Sequence, residues 1–151
     1  MIAIAHRGNL DGRNPERENS LSYIQEALDR GYHAEIDLRM EDGKMYLGHE
    51  MRPHESSYPV SPSWLVNRNK HLWVHCKDIE SLQEALNLRL NCFWHQRDLY
   101  TLTSRKWIWA LPGSPTPKYH SIICVLPELN NQDINNFTGF CSDYVLKYEK
   151  N

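Results

Sequence analysis

The sequence has no long run of apolar residues. Nothing in it approaches the roughly 18 consecutive apolar residues that a membrane-spanning helix needs, so no transmembrane segment is predicted. A secretory signal is also not visible, because the apolar stretch 2–5 runs directly into the charged and glycine-containing His6-Arg7-Gly8. We therefore expect a cytoplasmic protein that opens directly into its first strand.

Cysteine is sparse and has no motif spacing. The four cysteines, at positions 76, 92, 124 and 141, form no CxxC pair, which removes the sequence basis for a zinc-finger or redox motif. Each lies in or beside an apolar stretch. We expect all four to be reduced core residues, as is usual for a cytosolic protein.

The chain also lacks a strong charge of either sign. A net charge of −2 provides no basic field for nucleic acid, and we predict no nucleic-acid partner. An anionic substrate would have to be bound by local positive charge or by a metal. The 151 residues suit a single domain, 1–151, with a buried core.

Short apolar runs alternate with polar stretches along the whole chain. Two helices are predicted, over Leu21–Arg30 after a cap at Asn19 or Ser20 and over Asp78–Leu90, and two shorter ones near Asp98 and Asp133. Strands are predicted at 2–6, 34–38, 45–48, 72–76, 92–95, 107–111, 122–126 and 140–145. The alternation favours a parallel α/β arrangement. A full (β/α)₈ barrel usually takes about 250 residues, so a barrel of this length must have lost or shortened several helices.

Two carboxylates on the second predicted strand are candidate metal ligands. Glu35 and Asp37 are two residues apart, so they point to the same face of the strand. Unpaired and facing inward they would repel each other, and a divalent cation with its preference for oxygen ligands removes that repulsion. The alternative is a solvated strand face on which both are paired with lysine or arginine.

Two histidines and an arginine lie at neighbouring strand ends. His6 and His49 each stand beside a glycine, and a pair of imidazoles can supply a general acid and a general base near neutral pH. Either histidine could instead be structural. Arg7 can bind a phosphate through two N–H groups, or it can form a salt bridge to Glu18 or Glu35.

The order of these motifs resembles the N-terminal signature of the glycerophosphodiester phosphodiesterases. That family reads HRG, then PENT or PENS, then ExD, DG and HD. The matching residues here are His6-Arg7-Gly8, Glu18-Asn19-Ser20, Glu35-x-Asp37, Asp42-Gly43 and His49. Weaker similarities follow at His75-Cys76-Lys77, in the place of the family's ExK, and at Gly139–Asp143, in the place of GxxTD. Three departures stand out: His75 replaces a carboxylate, Glu50 replaces an aspartate, and Pro15 comes two residues early.

The resemblance implies a reduced TIM-type (β/α) barrel and a metal-dependent phosphodiester hydrolase. By analogy with the family, Glu35 and Asp37 would bind the metal, with His75 as an uncertain third ligand. Catalysis would depend on His6 and His49 as the acid/base pair. Binding of the phosphate would fall to Arg7 and Lys77, with Glu18 supporting the site. The expected substrate is a small glycerophosphodiester-like or a sugar- or nucleotide-linked phosphodiester. The alternative is a catalytically inactive relative that binds a phosphorylated small molecule.

The cofactor that the resemblance implies is one divalent ion, and His75 bears on which one. Mg²⁺ is the first expectation, with Ca²⁺, Mn²⁺ or Zn²⁺ as alternatives. If His75 is a ligand, a softer ion is favoured, because imidazole is a poor partner for Mg²⁺ and Ca²⁺. If His75 instead contacts substrate, water would complete a magnesium shell.

Three further features have two interpretations each. His95 and Arg97, at a strand end, either contact the leaving group of the substrate or belong to a turn capped by Asp98. The segment 51–70 is either a lid over the site or an ordinary surface loop. Missing helices would leave apolar surface bare, so we expect pairing into a homo-oligomer.

Overall fold

The computed structural model describes residues 1–50, 57–115 and 121–149. The strands are β1 (Ile2–His6), β2 (His33–Glu41), β3 (Lys44–Leu47), β4 (Tyr58–Pro59), β5 (Leu72–Cys76), β6 (Cys92–Trp94), β7 (Tyr100–Leu102), β8 (Ile108–Ala110), β9 (Ile122–Val125) and β10 (Gly139–Ser142). The α-helices are α1 (Leu21–Asp29), α2 (Pro62–Arg68), α3 (Ile79–Asn87) and α4 (Val145–Glu149). Two 3₁₀ turns, Pro127–Leu129 and Ile134–Asn136, lie between β9 and β10.

All ten strands belong to one mixed sheet that curls into a half-barrel. Eight follow the order β4-β3-β2-β1-β10-β9-β8-β7, and β5 branches from β2 and carries β6. The pairings among β6, β5, β2, β1, β10, β9 and β8 are all parallel, whereas β3, β4 and β7 are added antiparallel. The carboxyl ends of seven strands therefore meet at one edge of the sheet.

Alternation along each strand separates a concave face from a helix-covered face. On β2, Ala34, Ile36 and Leu38 pack with α1, α2 and α3, while Glu35 and Asp37 face the concave side. Aromatic and aliphatic side chains fill the concave side below them. They are Ile4, Trp73, Phe93, Trp109, Ile123, Val125 and Cys141. The concave side is thus apolar inside and charged at its carboxyl edge.

The expected reduced TIM-type barrel is wrong. The structure is mostly sheet, and its described helices are short and do not alternate regularly with strands. No α-helix lies between β6 and β9 in the described segments; β7 there turns back antiparallel on β8. Three-residue strands joined by turns replace the β/α units that the resemblance implied, so the chain covers its sheet with helices mainly on one side.

Several local predictions are confirmed. The Ser20 hydroxyl caps α1 by accepting a hydrogen bond from the Tyr23 N–H, and Asp78 with Ser81 forms a capping box on α3. The two shorter predicted helices are wrong, because only a 3₁₀ turn follows Asp133 and the segment after Asp98 forms strand β7. All four cysteines are free and buried.

The segment 51–70 is not a loop throughout. Strand β4 and helix α2 lie within it, and Pro62 at the start of α2 follows the capping residue Ser61. Residues 51–56, which carry the first part of the predicted lid, lie outside the described residues.

The helices of the described segments have nine residues or fewer, short of what crossing a bilayer requires.

The close pairing of β1 and β10 gives a first prediction. A Cβ at Gly139 would lie 2.6 Å from the Ile2 carbonyl oxygen and 2.9 Å from the Ile123 side chain. We expect Gly139→Ala to lower the free energy of unfolding by about 1–3 kcal/mol, because the backbone of β1 cannot give way as a side chain would. Urea denaturation measures the change.

Gly31→Ala is a comparison variant with a different cause of destabilisation. Gly31 has φ of +88°, and nothing lies within 4 Å of the position that an added methyl group would take, so this change reports left-handed backbone strain alone. Wild-type stability in Gly139→Ala would contradict the close approach of β1 and β10.

Candidate metal centre

The carboxyl edge of the sheet brings together two carboxylates and an imidazole. Glu35 and Asp37 extend from β2, and His75 extends from β5, where the parallel register pairs it with Asp37. One ligand atom from each of the three residues lies within 4.8 Å of the others. An ion about 2.0–2.6 Å from each ligand can bridge such a gap, so this group could hold a metal ion.

Asp37 is fully buried and lies beside two positive side chains and one imidazole. Its Oδ2 lies 2.9 Å from Arg7 Nε, and its Oδ1 lies 3.4 Å from both Lys77 Nζ and His75 Nδ1. Burial alone would raise the pKa of this carboxyl, but the approach of His75, Arg7 and Lys77 holds it well below its usual range. Oδ1 nevertheless accepts no hydrogen bond within the described residues. Asp37 is therefore an ionised ligand with one oxygen still available.

The pKa of Glu35 is shifted in the opposite direction from that of Asp37. Glu35 is 2% exposed, and its Oε2 accepts a hydrogen bond of 3.2 Å from the Arg7 backbone N–H. Burial raises the pKa of Glu35, and the negative charge of Asp37 raises it further. Without a cation, ionising both carboxylates is unfavourable, because they are buried and repel each other. The solvated and fully salt-bridged strand face considered as the alternative does not describe Glu35.

Arg7 makes a strained turn that returns its side chain over β2. Its φ is +54°, a left-handed value that is uncommon for a residue other than glycine. Gly8 follows with φ of +88°, and a Cβ there would come within 3.0 Å of Tyr23. The turn directs the guanidinium to Glu18, at 3.1 Å, and to Asp37. The predicted salt bridge to Glu18 is therefore present.

The Glu18-Asn19 pair fixes this arrangement from the start of α1. Glu18 accepts hydrogen bonds from Arg7, from Asn9 at 3.0 Å and from Arg13 at 3.3 Å. Asn19, also at positive φ, donates to Asp37 Oδ2 and accepts from the Asp37 backbone N–H. Glu18 thus has the supporting position predicted for it, and Asn19 holds a candidate ligand in place.

His6 is oriented by a carboxylate from the opposite end of the chain. Its Nδ1 lies 2.7 Å from Asp143 Oδ1, and its Nε2 lies 3.9 Å from Glu35 Oε2. Asn9 donates a second hydrogen bond to the same Asp143 oxygen, at 2.8 Å. Burial alone would lower the pKa of His6, but Asp143 and Glu35 outweigh it and raise the pKa. The imidazole presents Nε2 to the metal group.

His49 lies at the rim and not in the buried cluster. Its side chain is 44% exposed and its Nδ1 lies 2.9 Å from Glu50. The Arg39 guanidinium donates to the His49 carbonyl, and the Gly48 N–H donates to the Asp37 carbonyl, which ties this segment to β2. Partial burial lowers the pKa of His49, and the charge of Arg7 lowers it further.

A cavity of about 190 Å³ opens between the rim and the cluster. Its lining residues are Arg7, Arg13, Pro15, Glu18, Asn19, His49 and Glu50. His49 therefore faces the same space as the Arg7 guanidinium. A small anionic group in this cavity would lie between the two.

Most of the predicted site residues come together, and the side chains of two, His95 and Arg97, lie outside the cluster. His6, Arg7, Glu18, Glu35, Asp37, His75 and Lys77 form the cluster, with His49 beside it. His95 is buried, its ring bonds to the Asp98 carbonyl, and only its own carbonyl reaches the cluster, by accepting from His75. Arg97 is exposed, and no hydrogen bond or ion pair joins it to the cluster within the described segments.

Three cluster residues were not assigned a role from the sequence. Asp143 and Asn9 hold His6, and Asn19 holds Asp37. Asp143 directly follows the last strand, β10. A carboxylate at the carboxyl end of a predicted parallel strand is the sequence signal that could have identified it as a site residue. Its pairing with His6, 137 residues away, depends on β1 and β10 being neighbours.

Comparisons with known proteins identify no relative. The chain matches no family model, no curated protein and no solved structure. The resemblance to the glycerophosphodiester phosphodiesterases therefore depends on the sequence motifs alone.

The contrasting states of the two carboxylates give a second prediction. In the presence of EDTA, Asp37→Asn should lower the free energy of unfolding by about 3–5 kcal/mol, because Arg7 and Lys77 lose their buried counter-charge. Glu35→Gln should leave stability unchanged or higher, because it removes the carboxylate whose ionised form burial disfavours. Denaturant titration of both variants at pH 7 tests this.

The two substitutions are isosteric, so each serves as the control for the other. Equal destabilisation by both would mean that the carboxylates are equivalent, and it would contradict the charge distribution described here.

Proposed function

We propose that this protein is a metal-dependent phosphodiester hydrolase. The observation that carries the proposal is the convergence at one sheet edge of the metal-binding group, the Asp143-oriented His6 and two partly buried cations, Arg7 and Lys77. Four carboxylates lie in this cluster. Arg7 pairs with Glu18 and Asp37, Lys77 pairs with Asp37, and His6 pairs with Asp143. The fourth, Glu35, is buried beside the imidazoles of His6 and His75, and this supports binding of a divalent cation.

A divalent ion, when bound, supplies positive charge against the phosphoryl oxygens and favours attack at phosphorus. The two carboxylates favour Mg²⁺, the ion first expected from the sequence, whereas His75 adds a nitrogen donor. Glu35, Asp37 and His75 would hold the ion.

Arg7 and Lys77 would bind the phosphodiester anion beside this group. Arg7 uses Nε for Asp37 and Nη1 for Glu18, and no hydrogen bond engages its Nη2 in the parts of the chain that the structure describes. A guanidinium held on one side by carboxylates is presented without further loss of side-chain entropy. Lys77, 14% exposed, adds a second positive charge from the end of β5.

His6 and His49 would transfer the protons. One imidazole accepts a proton from water or from a substrate hydroxyl as its oxygen bonds to phosphorus. The other donates a proton to the alkoxide oxygen as its bond to phosphorus breaks. The Asp143 carboxylate keeps the His6 ring oriented with Nε2 toward the reacting group.

The substrate class that fits is a small phosphodiester, either glycerophosphodiester-like or linked to a sugar or nucleotide. The cavity of about 190 Å³ suits a phosphate with a small substituent. A hydroxyl next to the phosphate would make the attack intramolecular. Four free, buried cysteines support the expected cytoplasmic location.

A second candidate function is binding of a phosphorylated small molecule without catalysis. Two observations favour it: His75 stands in place of the family's third carboxylate, and His49 is half exposed and paired with Glu50. The same cluster would then hold an anion through a bound cation, Arg7 and Lys77.

An assay of bis(p-nitrophenyl) phosphate hydrolysis in the presence of Mg²⁺ or Mn²⁺ distinguishes the hydrolase from the non-catalytic binding function. We expect turnover that EDTA abolishes and that His6→Asn reduces by at least about 100-fold, since a general acid or base contributes that much. Glycerophosphodiesters and nucleotide-linked phosphodiesters then define the substrate class.

His71→Asn is the matched control, because His71 is exposed and lies outside the cluster, and it should retain full activity. Circular dichroism checks that each variant is folded. Absence of turnover with any divalent ion, together with tight binding of a phosphate ester, would favour the binding function.

A further inference from the structure

The imidazole of His75 is fixed in one tautomer by its surroundings. Its Nε2 lies 2.9 Å from the backbone carbonyl of His95, a group that only accepts hydrogen bonds. Nε2 must therefore carry the hydrogen. The ring is also stacked on Phe93, with centroids 5.1 Å apart and an interplanar angle of 12°, which fixes the plane of the imidazole.

The other ring nitrogen then faces the carboxylates. His75 Nδ1 lies 3.4 Å from Asp37 Oδ1 and 3.7 Å from Glu35 Oε1. In the neutral ring this nitrogen presents a lone pair to two oxygen atoms, which is unfavourable unless a cation lies between them. Asp37 Oδ1 is buried and accepts no hydrogen bond within the described residues. The Nδ1 lone pair and the Asp37 oxygen without a hydrogen-bond donor point into the same gap.

A histidine that ligates a metal through one ring nitrogen usually donates the N–H of its other ring nitrogen to a carbonyl or carboxylate. Here His95 supplies that carbonyl, and the bond from its own ring to the Asp98 carbonyl steadies the residue. His95 is therefore a positioning residue for His75.

We propose that His75 binds the ion through Nδ1 and that the site selects first-row transition ions, Mn²⁺, Co²⁺ or Zn²⁺, over Mg²⁺ and Ca²⁺. Borderline ions accept an imidazole nitrogen beside two carboxylates, whereas Mg²⁺ and Ca²⁺ strongly favour oxygen. The inference rests on the metal site of the proposed function, but not on the hydrolysis itself. It replaces Mg²⁺ as the preferred ion.

Equilibrium binding to the metal-free protein tests the selectivity. Competition with a chromophoric chelator gives Kd values for Co²⁺ and Zn²⁺, and calorimetry gives them for Mn²⁺, Mg²⁺ and Ca²⁺. We expect Co²⁺ to bind at least about 100-fold more tightly than Mg²⁺. Pulsed electron paramagnetic resonance of the Mn²⁺ form should show coupling to one directly bound imidazole nitrogen.

Replacement of the nitrogen donor should reduce the selectivity. His75→Asp supplies oxygen in its place, and we expect Co²⁺ affinity to fall by about 10–100-fold relative to Mg²⁺, with loss of the nitrogen coupling. His75→Gln provides a neutral second variant should His75→Asp fail to fold. His71→Asn is the control and should retain the wild-type Kd values.

The outcomes separate this inference from the proposed function. Equal affinity for Co²⁺ and Mg²⁺, or nitrogen coupling that persists in the folded His75 variants, would overturn the inference and leave the phosphodiesterase proposal intact. Selective binding through His75 without hydrolysis would support the inference and count against the enzyme. Failure to bind any of the five ions would contradict both.

Discussion

The structure depends on the burial of two carboxylates on alternate residues of one strand. Glu35 and Asp37 must face the same side of β2, and the concave side that they face is closed below by aromatic and aliphatic side chains. Buried like charges require compensation. Arg7 and Lys77 compensate Asp37, whereas Glu35 is left beside two imidazoles, and this imbalance is what creates a place for a cation.

Two motifs of the chain, His6-Arg7-Gly8 and Glu18-Asn19-Ser20, hold the charged groups in this arrangement. The positive φ values of Arg7 and Gly8 turn the chain at the end of β1, so that the Arg7 side chain reaches back to β2. Asn19 binds the backbone and the carboxylate of Asp37 at once. The network would hold these groups in place before an ion or an anionic ligand arrives, as catalysis and tight binding both require.

The site was more predictable from the sequence than the fold. The two-residue spacing of Glu35 and Asp37 and the glycine beside His6 are local signals that survive in any sheet. The prediction of a barrel was wrong because a three-residue strand such as β7 is too short to show hydrophobic periodicity. The order of the predicted elements therefore did not reveal that β7 pairs antiparallel with β8. The contact between His6 and Asp143 depends on which strands are neighbours, and the tautomer of His75 depends on a backbone carbonyl, so neither can be predicted from residue types.

A crystal structure of the protein grown with Mn²⁺ and inorganic phosphate, with anomalous diffraction recorded at the manganese edge, tests the central claim most directly. The account predicts one anomalous peak about 2.0–2.4 Å from carboxylate oxygens of Glu35 and Asp37 and from His75 Nδ1, with phosphate between that peak and Arg7. An empty cluster in crystals that hold manganese elsewhere, with Lys77 or water between the carboxylates, would contradict it.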